Sequence, residues 1–244
     1  MVEGTRDWLV ADSTLGHRKY KSLIDIVNVA MGVQRLLIFT RFPVPGHTKT
    51  RLIPALGQEG AALLQRHLTE HIVNLSQQVK RVYPIACQIF YAGGSQAQMR
   101  QWLGTGFDYV EQHSGNLGDR LQAAFQWAFD QGSERVIVIG IDCPFITSEL
   151  LQTAFNALME HDVVIGPALD GGYYLLGLNS PNSSYFQDID WSTAQVYPQT
   201  LAKIQHNGDR HYALPPLPDI DSPPDLAHLK PQFSHWLVGL DNNG

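Results

Sequence analysis

Phe39-Thr40-Arg41-Phe42-Pro43-Val44-Pro45-Gly46-His47-Thr48-Lys49-Thr50-Arg51-Leu52 follows directly on the apolar run Leu36-Leu37-Ile38-Phe39. Such a run reads as a strand buried on both faces. Pro43, Pro45 and Gly46 forbid both helix and strand after it, so the chain leaves the sheet as a loop. That loop carries three cations, Arg41, Lys49 and Arg51, to the carboxyl end of the first strand, which is where open α/β sheets bind ligands. A proline-stiffened loop with Arg and Lys in that position suits a polyphosphate, because guanidinium binds phosphate as a planar fork and ammonium as a point charge. A solvated basic loop would have the same composition. The stretch is neither a Walker A loop, since Thr48 and not Gly precedes Lys49, nor a dinucleotide fingerprint, since no G-x-G-x-x-G follows the strand.

Outward from this loop the chain alternates between the two regular periods. Leu64, Leu68, Ile72, Leu75, Val79 and Val82 recur every three or four residues and predict an amphipathic helix over 58–82. Residues 84–91 predict the second strand, ended by Gly93-Gly94, with a short helix following to Trp102 and a third strand at 107–112. Leu117, Leu121, Ala124, Phe125 and Ala128 mark the next helix. Val136-Ile137-Val138-Ile139 is a continuous apolar run within a strand over 134–141, as expected for a parallel sheet covered on both sides. Thr147 is placed to cap a helix through Leu158, and 162–165 and 173–178 predict two more strands. Strand and helix alternating through residue 160 predict a three-layer, Rossmann-like α/β fold with a mainly parallel mixed sheet. Residues 35–230 read as one domain, with an N-terminal extension at 1–34 and a C-terminal tail at 231–244.

Composition bounds the function. The 244 residues are 44% hydrophobic, enough for a sizeable core, and the net charge of −6 argues against general nucleic-acid binding. The two cysteines, Cys87 and Cys143, read as free thiols of a cytoplasmic protein. No apolar run has the length of a membrane span, and the first thirty residues lack the apolar stretch of a signal peptide. Met31, just before the first strand, reads as a second possible start.

Four further stations carry polar chemistry. Gly140-Ile141-Asp142-Cys143-Pro144 puts a carboxylate just past the most buried strand, facing the same crevice as the basic loop. A hard divalent cation takes a few carboxylates together with phosphate oxygens, so Asp142 is the first candidate metal ligand. Pro218-Asp219-Ile220-Asp221-Ser222-Pro223-Pro224-Asp225 holds the second: Asp219 and Asp221 point to one side of an extended chain, and either could complete the site. Asp225 reads as structural, near the start of a last short helix. In Gly166-Pro167-Ala168-Leu169-Asp170-Gly171-Gly172-Tyr173, Asp170 is a candidate base and the two glycines permit close approach to an acceptor, although Asp-Gly-Gly is also a plain hairpin turn. Gln112-His113-Ser114-Gly115-Asn116-Leu117-Gly118-Asp119-Arg120 puts Gly115, Gly118 and Arg120 around a helix amino terminus, a place for an anion or for simple capping. Trp191, in the irregular second half, is a candidate for the acceptor side.

Taken in order, the segments Pro-x-Pro-Gly-x-x-Lys-Thr-Arg-Leu, Gln-x-x-Gly-x-Leu-Gly-x-Arg, Gly-x-Asp-Cys-Pro, Gly-Pro-x-x-Asp-Gly-Gly-Tyr-Tyr and Asp-Ile-Asp-Ser-Pro-x-Asp-Leu resemble a family. It is that of the bacterial GT-A-type nucleotide-diphospho-sugar transferases, of the arsenosugar-biosynthesis or radical-SAM/selenodomain-associated glycosyltransferase type. The resemblance covers roughly residues 35–230. It implies a GT-A fold and a nucleotide-bound donor, with a divalent metal, magnesium or manganese, held by Asp142 and Asp221. It also implies that Lys49 and Arg51 sit on the donor phosphates, with Arg41, Gly46, Gly115, Gly118 and Arg120 around them. Asp170 and Lys49 would be catalytic, and Gly171, Gly172 and Trp191 would face a small-molecule acceptor. The strand end departs from many GT-A glycosyltransferases in having no Asp-x-Asp pair. A single aspartate there is closer to nucleotidyltransferases such as the phospholactate and molybdenum-cofactor guanylyltransferases. Three functions follow: glycosyl transfer from a nucleotide-sugar, nucleotidyl transfer from a triphosphate with loss of pyrophosphate, and non-catalytic nucleotide binding.

Overall fold

The structure, a computed structural model, describes residues 33–238; residues 1–32 of the expected N-terminal extension, Met31 among them, lie outside these, and Gln34, its last residue, is already the first of the sheet. One seven-stranded sheet organises the chain, from β1 (Gln34–Arg41), β2 (Ile85–Ala92), β3 (Asp108–Glu111), β4 (Arg135–Ile139), β5 (Val163–Pro167), β6 (Tyr173–Leu178) and β7 (His211–Ala213). Its order is β3-β2-β1-β4-β6-β5-β7. β1 is parallel to β2 and β4, β2 to β3, and β5 to β7, whereas β6 is antiparallel to both of its neighbours. The mainly parallel mixed sheet expected from the strand–helix alternation is the one observed.

The helices are α1 (Ile53–Val82), α2 (Gln96–Leu103), α3 (Leu117–Asp130), α4 (Ser148–Ala157), α5 (Val196–His206) and α6 (Leu226–Phe233). Strand pleat sorts their cover into two cores. Leu36 and Ile38 of β1 and Ile137 and Ile139 of β4 face the core under α1 and α4. Leu37, Val136 and Val138, one residue out of phase, face the core under α3 and α5. Leu36, Leu37 and Ile38 are all fully buried, each contributing about 2 kcal/mol of hydrophobic burial.

The long helix is broken at Gly57 (φ 70°, ψ 172°), so its continuous part begins at residue 58, where the apolar periodicity starts. Leu64, Leu68, Ile72, Leu75 and Val79 are buried as that periodicity requires, but Val82 is 71% exposed because the helix ends there and Tyr83 is already extended. Packing continues past residue 230: Phe233 and Trp236 stack on each other with ring centroids 4.3 Å apart and lie against His71 of α1.

Strand order reverses between β1 and β4, whose neighbours are β2 on one side and β6 on the other. The carboxyl ends of β1 and β4 therefore open a crevice, the place where such sheets bind ligands. Arg41 ends β1, and Asp142 lies three residues past β4. Among the described residues no helix is long and apolar enough to cross a membrane. Cys87 and Cys143 are free and buried, and burial pushes both thiols up to about 12. In the native state they should therefore resist a thiol reagent at pH 8 and react only after denaturant is added.

At the far edge, Asp162 joins β5 to the segment entering β7. Its carboxylate accepts from the Arg210 amide at 2.9 Å and lies near the Asn179 side-chain amide at 3.5 Å. The Arg210 hydrogen bond, more than any other contact, holds it below the usual aspartate range. A carboxyl lowered on folding stabilises above its unfolded value, and the contribution disappears as pH falls through the folded one. Asp162→Ala should cost about 1 kcal/mol at pH 7. In urea titrations the deficit should shrink as pH drops below about 4, the unfolded aspartate range.

Candidate active site

The β1 loop turns first through hydrogen bonds from the His47 amide (3.0 Å) and the Thr48 hydroxyl (3.0 Å) to the Val44 carbonyl. Lys49 then takes a left-handed backbone, φ 49° and ψ 42°, before the 3-10 turn Thr50–Leu52. That conformation is uncommon for a residue other than Gly, Asn or Asp, and it aims the Lys49 side chain back under the loop. Below it is a buried polar net. The Thr40 and Thr69 hydroxyls are 2.8 Å apart, and Gln65 Nε2 donates to the Arg41 carbonyl at 3.1 Å. Gln112 Nε2 donates to the carbonyls of Thr40 (3.1 Å) and Phe90 (2.9 Å), fastening the chain after β3 to the ends of β1 and β2.

The acidic side is built by a return segment. Hydrogen bonds from Leu214 to Ile165, from Leu217 to Pro167 and from Ile220 to the Asp142 carbonyl (2.8 Å) lead residues 214–221 along the end of β5 and back to β4. Asp219 and Asp221 thus reach Asp142, nearly eighty residues earlier in the chain. Asp225 accepts from the amides of Ser222 (2.7 Å) and Asp221 (3.2 Å) and caps the turn into α6, the structural role expected of it.

Lys49 closes the site. Its ammonium is 2.7 Å from Asp142 Oδ1, 2.5 Å from the Ile220 carbonyl and 3.5 Å from Asp221 Oδ1, and its side chain is 3% exposed. Arg51 pairs with the other oxygen of Asp221 at 2.9 Å, with 66% of its side chain exposed. Lys49 therefore rests on the two carboxylates taken from sequence as metal ligands, and not on the open face where donor phosphates would lie. Asp219 is half-buried, and burial first, then Asp170 and more weakly Asp225 and Asp142, push it up to about 6.

A cleft of about 780 Å³ spans these groups. Arg41, His47, Arg51 and Arg120 line it together with Asp142, Asp170, Asp219 and Asp221, Arg51 being already paired with Asp221, and Leu117, Tyr173 and Ser192–Ala194 complete the lining. Cationic and anionic groups lining one cavity can hold a polyphosphate and neutralise or deprotonate a hydroxyl.

The candidate glycines divide by role. Gly172 lines the cleft, and its amide donates to Asp170 Oδ1 at 2.7 Å, so the Asp-Gly-Gly segment is at once the β5–β6 hairpin turn and part of the wall. Gly171 (φ 91°) is packed against backbone: an added Cβ would come 2.4 Å from the Ala194 carbonyl oxygen. Gly118 is buried beneath the Trp191 indole, 2.7 Å from where its Cβ would be. Trp191 is therefore not a cleft-lining ring. It pins its loop onto the start of α3 and so sets the position of Ser192–Ala194, which do line the cleft. Gly46 (φ 79°) shapes the loop against Gln58, and Gly115 (φ 111°) lies against Asp119, away from the cavity wall. Asn116 and Asp119 form a reciprocal cap on α3, and Arg120 Nε donates to the Gly115 carbonyl at 3.1 Å, leaving the rest of its guanidinium to the cleft. Gln65 and Ser192 have no motif around them, and only the fold brings them to the site; Gln112 opens the Gln-x-x-Gly-x-Leu-Gly-x-Arg segment, which gives no sign of the carbonyls it binds.

Comparison with other proteins agrees with this fold. A structure of a candidate nucleotide-diphospho-sugar transferase from Desulfovibrio desulfuricans superposes with TM-score 0.77 at 32% identity, over 85% of this chain and 96% of that one. The chain belongs to the nucleotide-diphospho-sugar transferase family. Its members are nucleotide-dependent transferases, and the cleft lies at the crevice where open α/β sheets bind ligands. Residues 74–193 also match a family model described as an uncharacterized protein conserved in bacteria (DUF2064). A phosphoenolpyruvate guanylyltransferase of Chloroflexus aggregans is 22% identical over 142 residues, 58% of this chain and 66% of that relative, just under two thirds of its length. The 4-diphosphocytidyl-2C-methyl-D-erythritol synthase of Anaerococcus prevotii shares the fold at TM-score 0.54 and 12% identity, over 82% of this chain and 99% of that one.

Because Gly171 combines a left-handed backbone with a backbone neighbour that cannot yield, Gly171→Ala should destabilise the protein by roughly 1–3 kcal/mol. A urea titration checks this. Gly172→Ala, whose added Cβ meets only the Asp170 carboxylate at 3.1 Å, should cost less.

Proposed function

We propose that the protein transfers a glycosyl group from a nucleoside-diphosphate sugar to a hydroxyl of a small-molecule acceptor, assisted by magnesium or manganese. The observation that carries this reading is that guanidinium groups, Arg41, Arg51 and Arg120, and carboxylates, Asp142, Asp170, Asp219 and Asp221, line one cleft at the carboxyl end of the sheet. Family membership supports it.

The residues fit a divalent metal. Oxygens of Asp142, Ile220 and Asp221 converge on one cation position, held in this structure by the Lys49 ammonium. A donor set made only of oxygen suits a hard ion that takes one or two carboxylates and completes its shell with water and phosphate. Asp142 and Asp221 would hold the ion, and when bound it supplies positive charge beside the departing diphosphate. The chain does the rest. Arg41, Arg51 and Arg120 orient the diphosphate as planar donors. Asp170, exposed and already fixed by the Gly172 amide, accepts the proton of the acceptor hydroxyl. Leu117 and Ser192–Ala194 border the remaining volume and exclude water from part of it.

A second reading, nucleotidyl transfer to a substrate phosphate, is favoured by two observations. The β4 end carries a single aspartate with no Asp-x-Asp pair, and a guanylyltransferase is among the relatives. The same cations would then clamp a triphosphate.

Protein incubated with magnesium, candidate acceptors and either nucleotide-sugars or triphosphates should release nucleoside diphosphate from a nucleotide-sugar. Release of pyrophosphate from a triphosphate instead would establish the second reading and reject the first. Asp142→Asn should fold and lose on the order of 10²–10³ in kcat; a variant with unchanged metal-dependent turnover would remove Asp142 from the site.

A further inference from the structure

Lys49 is the least expected feature of the cleft, and its surroundings go beyond a phosphate-binding role. All the oxygens within reach of its ammonium, Asp142 Oδ1, the Ile220 carbonyl and Asp221 Oδ1, belong to the carboxylate side. The side chain is 3% exposed although it lines the cleft, so its ammonium is largely taken up by these oxygens. The left-handed backbone at residue 49 is the local distortion that delivers it there. A divalent ion bridging Asp142 and Asp221 would use the oxygens that the ammonium contacts.

We propose that Lys49 is an exchangeable counter-ion, which neutralises Asp142 and Asp221 in the nucleotide-free protein and yields that position to a divalent metal when donor phosphates arrive to receive it. The inference rests on the transferase reading of the cleft. The charges argue for exchange over simple addition. Lys49 and Arg51, two cations, pair with Asp142 and Asp221, two carboxylates, and Asp219 is near enough to Asp142 to feel its charge. A dication entering alone must evict a buried ammonium and leave it without a counter-ion. If it enters with a diphosphate, the ammonium moves across the cleft on its flexible four-carbon stem and is paired with a new anion. Metal and phosphate binding are thereby coupled, and coupling between two ligands is reciprocal. The same exchange keeps the metal-binding carboxylates paired with protein, and the loop ordered, while the donor is absent.

The test uses Mn²⁺ alone, with no phosphate compound present, on the full chain. Mn²⁺ titrations followed by electron paramagnetic resonance should show Lys49→Met binding the ion about ten-fold more tightly than the wild type, within the usual range of such couplings. Without metal the variant should melt lower, and Mn²⁺ should restore much of the loss. A variant that binds Mn²⁺ no more tightly than the wild type overturns the proposal, as does absence of binding in both. Should Lys49→Met not fold, Lys49→Gln keeps a donor for the Ile220 carbonyl without the charge and is read in the same way. The wild type gives an independent answer. Acetylation followed by mass spectrometry should find Lys49 slow without metal and faster once Mn²⁺ occupies the site; a Lys49 that stays slow at full occupancy refutes the exchange. These readouts contain no nucleotide, so their failure is separate from a failure of the transferase reading, which appears as absence of any nucleotide-induced thermal shift or product.

Discussion

The ammonium of Lys49 joins three pieces of chain at one point: the loop after β1, the end of β4 and the return segment at 219–221. A buried cation is tolerable only when it is paired and hydrogen-bonded, and removing one partner of such a group is far more costly than the pair is worth against an apolar replacement. Here the partners are two carboxylates and a carbonyl, and the Ile220–Asp142 backbone hydrogen bond holds them in register. The cleft's shape, the pairing of Arg51 with the same Asp221, and the placing of Asp219 among other carboxylates all follow from that one junction.

Much of the sheet was legible because its strands are long and doubly buried. Val136-Ile137-Val138-Ile139 and Leu36-Leu37-Ile38 admit no amphipathic reading, and Pro43 and Gly93 end the strands before them in ways that any fold must respect. The second half was less legible for equally physical reasons. β7 has three residues, His211–Ala213, and the two after the histidine are exposed. α5 buries Val196, Thr200 and Ile204 at four-residue spacing, but one of the three is a threonine and Pro198 lies in its first turn. Neither element has enough apolar surface to mark itself, and both are held in place by what they pack against.

The candidate site shows the same division. Asp142, Arg51 and Arg120 were found because a strand end, a stiff loop and a helix start are positions that local sequence announces, and the structure brings all three to one cavity. What could not be read was which neighbour each group would choose. Lys49, at the cleft's edge, has its ammonium taken up by carboxylates from residues 142 and 221, and its own backbone is left-handed. Trp191 serves its loop by lying on Gly118, a contact that depends on the absence of one Cβ. Gln65 and Gln112 are ordinary polar residues until the ends of β1 and β2 offer them carbonyls.

The topology also sets a schedule. β1, α1, β2 and β3 come from the first half of the described chain, and their parallel pairings need only segments already made. The inner neighbour β4 arrives later, β6 must then be inserted between β4 and β5, and Asp221 emerges 172 residues after the lysine it pairs with. Contacts of such long range are slow to form. During synthesis Lys49 therefore waits beside an incomplete sheet with neither of its carboxylates available. The cleft is among the last features of the described fold to take shape, and a nascent chain cannot complete the pocket until residue 221 has left the ribosome.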